Sequence, residues 1–113
     1  MMRKINVPIY DIDIYMSNDM NDYVKWLKTC EIEPDQKDKN VSKTHAGLSD
    51  FDNGNGIMII SETENDGVIV HEAVHTAWHI LDHAGVIICI DNHESLAYLT
   101  EWLYDTYIKR FRN

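Results

Sequence analysis

The chain has 113 residues, 44 % of them hydrophobic, and a formal net charge of −9. One domain, 1–113, with one modest core is the expectation, and the acidic balance disfavours phosphate backbones and so nucleic-acid partners. No apolar run reaches the length of a membrane span, and Cys30 and Cys89 lack the spacing of a thiolate metal motif or a disulfide framework.

The N-terminal stretch mixes Ile and Tyr with Asp11 and Asp13. Those two carboxylates break any signal-peptide core, so the expectation is a cytoplasmic protein with two free thiols. The alternation of Tyr10, Asp11, Ile12, Asp13 and Ile14 predicts a strand over Ile9–Tyr15. Ser17, Asn18 and Asp19 offer N-caps for a helix carrying Met20, Tyr23, Val24 and Leu27 at helical spacing. Pro34 predicts that this helix stops near Cys30.

Glu31–Gly56 is polar and rich in Asp, Lys, Asn and Gly. It reads as a long loop with a short ordered piece around His45–Leu48, and His45 as an exposed side chain. Asn53-Gly54-Asn55-Gly56 is a turn signal, and Ile57-Met58-Ile59-Ile60 a buried strand.

Thr63–Asp66 marks a helix start, with Thr63 as N-cap and Asp66 three residues on, while Gly67 favours a first turn nearer Asp66. Val70, Ala73, Val74, Ala77, Trp78 and Leu81 form a broad apolar stripe, and Gly85 is placed to cap the end. At one margin of the stripe stands His71-Glu72-Ala73-Val74-His75. Histidines at i and i+4 point the same way on a helix. The H-E-x-x-H pattern is a zinc site of metallopeptidases, two His ligands with the Glu as general base. A last helix, capped by Asp91 or Asn92 and carrying Leu96, Leu99, Leu103 and Tyr107 on one face, should fold back antiparallel on the first.

A catalytic zinc takes three protein ligands and keeps a position for water. The candidates for the third are His79, Asp82, His83, His93 and Glu94. His79 lies about 12 Å from His71 along the axis, too far for one ion, and His83 lies further. Glu94 is the choice, against the competing reading of an N3 carboxylate in a capping box with Asp91. Trp78 and Trp102 read as core.

The run HEAVH followed by Glu94-Ser95-Leu96-Ala97-Tyr98 resembles the gluzincin branch of the zincin metallopeptidases. More closely, HEAVHTAWHILDHAGV…ESLAYLTEWL is similar to small zincin-like proteins encoded by bacteriophages, over Ile57 to the C-terminus. The resemblance implies Glu94 as the ligand from the following helix, and Ile57–Glu62, with Ile57, Met58, Ile59 and Ile60, as an edge strand that pairs with substrate. Larger gluzincins carry an Asp four residues after that Glu, where this chain has Tyr98. Asp82, Asp91 or Glu101 are candidates to support the ligands in its place, and Tyr98 to bond the oxyanion.

The expected fold is a small α+β, zincin-like domain: a few strands, an active-site helix and an antiparallel C-terminal helix. The expected function is zinc-dependent peptide hydrolysis, with one Zn²⁺ on His71, His75 and Glu94 and Glu72 as base. Its partners would be peptide or protein substrates, with no nucleic acid and no membrane. The alternative is a weak or inactive zincin scaffold, in the host cytoplasm if phage-encoded, that binds and inhibits a host protein. A third, weaker reading is an acidic mimic of nucleic acid.

Overall fold

The computed structural model describes residues 2–112. The expected α+β architecture is present: a four-stranded mixed sheet with helices on both faces. The elements run β1 (Arg3–Val7), β2 (Ile12–Ser17), α1 (Asp22–Thr29), α2 (Gln36–Lys39), α3 (Val41–Thr44), β3 (Gly47–Asp52), β4 (Asn55–Ile60), α4 (Asp66–His83) and α5 (Glu94–Phe111).

The N-terminal stretch holds two strands where one was expected. β1 and β2 pair antiparallel, with Ile5 opposite Ile14. The reversal falls at Pro8–Asp11, inside the expected strand, where Ile9 (φ 75°) and Asp11 (φ 50°) take left-handed backbone. The Asp11 N–H closes the turn on the Val7 carbonyl at 3.0 Å, and the Asn6 amide donates to both Asp11 and Asp13.

α1 ends at Thr29, as Pro34 suggests, but starts at Asp22 rather than on a Ser17–Asp19 cap. Ser17 instead donates to the buried Asp22 carboxylate at 2.6 Å and accepts from the Asp19 N–H. Met20, Tyr23, Trp26 and Leu27 cover one sheet face over Ile57 and Ile59.

The polar stretch 31–56 is not a loop. It holds α2, capped by a reciprocal Asp35–Asp38 box, then α3, β3 and the start of β4. β3 and β4 form a hairpin through Asn53 (φ 47°) and Gly54 (φ 89°). Positive φ at both central residues is the two-residue turn that suits strand twist and favours Asn-Gly.

β4 is buried, with Ile57–Ile60 fully enclosed. It is not an edge: the strand order is β1-β2-β4-β3, with β2 parallel to β4 on one side and β3 antiparallel on the other. Ile57, Met58, Ile59 and Ile60 therefore cannot receive a substrate strand. Four consecutive apolar residues mark a strand buried on both faces, which belongs in mid-sheet. The outer strand on this side is β3.

α4 begins at Asp66, with Asn65 as cap accepting from the Val68 N–H. It ends in a Schellman closure, the Val86 N–H on the Leu81 carbonyl and the Gly85 N–H on Asp82, with Gly85 at φ 81°. α5 runs antiparallel, its C-terminal Arg112 reaching the Thr63 carbonyl and Asp66 at the start of α4. Leu99, Leu103 and Tyr107 pack with Ile69, Ala73, Ala77 and Leu81 over Ile14, Met16, Met58 and Ile60. Trp102 packs against this core as expected. Trp78 does not: it is 50 % exposed. Among the described residues, no helix is long and apolar enough to cross a membrane.

Candidate functional site

The polar side of α4 faces β3. At about 100° per residue, a helix buried through Ile69, Ala73 and Ile80 presents Glu72, Thr76, His79 and His83 toward one flank. β3 runs along that flank. Gly47 lies against Val68 and Glu72, Ser49 bonds Thr76 at 2.8 Å, and the Phe51 ring meets those of His79 and His83. Because Thr76 donates its hydroxyl to the Glu72 carbonyl, Ser49 is the donor to Thr76. One hydroxyl pair thus pins helix to strand one turn beyond Glu72.

Gly47 is what allows the close approach. A Cβ there would lie 2.7 Å from Val68 Cγ1 and 2.8 Å from Glu72 Cγ. Real side chains do not meet at such distances, so any other residue would drive Glu72 off the strand.

His71 and His75 are exposed, on the solvent side of the same flank. Their rings lie edge to face with centroids 4.8 Å apart. Glu72 is held beneath them, 9 % exposed. Burial pushes its carboxyl above the usual range, while the nearby His71, His75 and His45 pull it back. A carboxyl raised in this way is better matched to proton transfer near neutral pH. His45, Gly47, Leu48, Ser49, His71, Glu72, His75 and His79 line one open cleft.

The other expected site residues stand elsewhere. Glu94 is exposed in the first turn of α5. The antiparallel run puts that turn level with the end of α4, roughly 12 Å beyond His75 along the axis at 1.5 Å per residue. It is also on the wrong side: α5 packs on the Ala73–Ala77–Leu81 face, turned away from His71 and His75. Nor does Glu94 cap α5 with Asp91, since His93 holds the cap position and makes no side-chain bond. Asn92 braces the connector instead, through Cys89 and Ile87. Tyr98 lines an apolar pocket with Val7, Pro8, Leu99 and Trp102, remote from the histidines. Glu101 is exposed on α5, and Asp82 lies two turns past His75, about 10 Å along the axis. None of the three supports His71 or His75.

The fit to a metal ion is therefore divided. Two adjacent imidazoles one turn apart suit two positions of a divalent cation. The set completed by Glu94 does not close, and among the described residues no three His, Cys, Asp or Glu are gathered so as to hold an ion. Gly47, Ser49, Phe51 and Thr76 escaped the sequence reading, although the Asn53-Gly54 dipeptide signals the hairpin that brings three of them to α4. Compared with protein-family models, with curated proteins and with solved structures, the chain matches none.

Proposed function

We propose that the protein is a small metal-dependent peptide hydrolase of the H-E-x-x-H type. The observation that carries this reading is the juxtaposition of paired His71 and His75 rings with the buried Glu72 beside an outer strand. His71 and His75 would hold zinc. When bound, zinc supplies Lewis acidity, bringing water toward ionisation near neutral pH.

The chain's own residues account for the rest. Glu72 takes a proton from the attacking water as the C–O bond forms, then delivers it to the amine as the C–N bond breaks. Its burial keeps bulk water from competing for that proton, and Gly47 fixes its position. The substrate is an extended segment laid along β3, bonding main chain to main chain, which puts a peptide carbonyl in the cleft beside Glu72. β4, with both neighbours in place, has no part in this.

The alternative binding-protein reading would use 31–56 as a polar loop for partner contact, whereas that stretch is folded into α2, α3 and the β3–β4 hairpin. The test is cleavage of an unfolded protein by zinc-loaded protein. Activity that disappears on chelation, returns with zinc and is lost in His75→Ala is the expected result. Cleavage indifferent to both treatments would remove the metal from the account.

A further inference from the structure

We infer that His45, rather than Glu94, is the third protein ligand of the zinc site, making it a three-histidine centre. This rests on the reading of His71 and His75 as metal ligands.

His45 is the first of the two residues between α3 and β3, in extended backbone (φ −129°, ψ 133°). It lines the same cleft as His71, Glu72 and His75. Its backbone is anchored: the next carbonyl, Ala46, accepts from both the N–H (3.0 Å) and the hydroxyl (3.1 Å) of Ser61. His45 itself is exposed.

The hydrogen bonding prepares one ring nitrogen. The Thr44 hydroxyl lies 2.6 Å from His45 Nδ1 and is directed at the Asn40 carbonyl 3.4 Å away. In the tautomer protonated at Nδ1, Thr44 accepts from Nδ1–H and Nε2 presents its lone pair. Zinc takes neutral imidazole nitrogen, and a ligating histidine characteristically gives its other N–H to an oxygen partner. Thr44 is placed to be that partner.

The rivals fail on position. His79 is stacked on Phe51, with centroids 5.8 Å apart and planes at 11°, and is too far along the axis from His71. Glu94 is at the far end and on the far side of α4. The three rings are not gathered on one point in this structure, so ion binding requires the His45 ring to move toward His71 and His75. Three neutral ligands would leave the ion its full double charge, which favours ionisation of water over a two-histidine, one-carboxylate set.

The test is zinc affinity, measured by competition with a chromophoric chelator, together with the visible spectrum of the cobalt(II) form. Wild type, His45→Ala, Glu94→Ala and the double variant His71→Ala/His75→Ala are compared, each first checked for unchanged thermal unfolding without metal. His45→Ala is expected to weaken zinc by roughly 100-fold or more, beyond the 10–100-fold cost of losing an outer partner, and to change the cobalt spectrum. Glu94→Ala is expected to leave both unchanged. Unaltered binding in His45→Ala, or loss in Glu94→Ala, overturns the inference while leaving a metal on His71 and His75. Wild type that binds zinc no better than the double variant overturns that reading as well.

Discussion

The two long flanks of α4 are built to opposite rules. Toward α5 the helix presents Ile69, Ala73, Ala77 and Leu81, which close on Leu99, Leu103 and Tyr107 with little exposure. Toward β3 it presents Glu72, Thr76 and a row of histidines, meeting a glycine, a serine and one aromatic ring. The first flank holds the fold by removing apolar surface from water. The second buries a carboxylate whose ionised form burial disfavours. A helix so divided concentrates stability on one side and chemistry on the other, so the two sides should respond differently to substitution.

Leu103→Ala attacks the apolar flank and is expected to have the largest effect, a loss of about 2–5 kcal/mol of folding stability. Denaturant unfolding measures it, and the fraction that remains folded should keep its full cleavage rate. Gly47→Ala attacks the other flank. Crowding Val68 and Glu72 is expected to cost about 1–3 kcal/mol and, unlike Leu103→Ala, to lower cleavage in protein confirmed as folded. Equal loss of cleavage by both variants would erase the distinction between the flanks.

Two smaller effects sharpen it. Tyr107 donates to the buried Ile60 carbonyl at 2.6 Å, tying α5 to the end of β4. Tyr107→Phe should cost about 1 kcal/mol, read by thermal unfolding, with cleavage unchanged. Glu72 gives a pH signature in the metal-free protein. Its folded pKa is raised above the ordinary 4.5. The stability it contributes is therefore complete below that value and is lost as pH rises through the elevated one. Glu72→Gln removes the dependence, so the variant should gain on wild type as pH rises above about 4.5. A gap that widens on acidification would contradict the assigned direction.

The same division explains what could be read from the sequence. The apolar flank announces itself by period: Leu99, Leu103 and Tyr107 recur at helical spacing, as do Ala73 and Ala77. The cap at Gly85 and the buried run Ile57–Ile60 are local signals of the same kind, whereas the N-cap of α4 is Asn65 and not the expected Thr63. The polar flank is written in pairs distant in sequence. Ser49 reaches Thr76, and His45 shares a cleft with Glu72, through the hairpin that turns at Asn53-Gly54. The polarity of 31–56 hid that strand, since β3 sits half-exposed at the rim of the sheet. Glu94 misled because its sequence position matches a family pattern, whereas α5's own apolar face sets which side of α4 it occupies.

The most direct measurement pairs zinc content with cleavage in wild type and Glu72→Gln, assayed together on an unfolded protein substrate. The account predicts that both proteins retain one equivalent of zinc, while the variant loses about 10²–10⁴-fold in rate, the usual share of a general base. Cleavage at the wild-type rate by the variant, or no cleavage by fully zinc-loaded wild type, would contradict it.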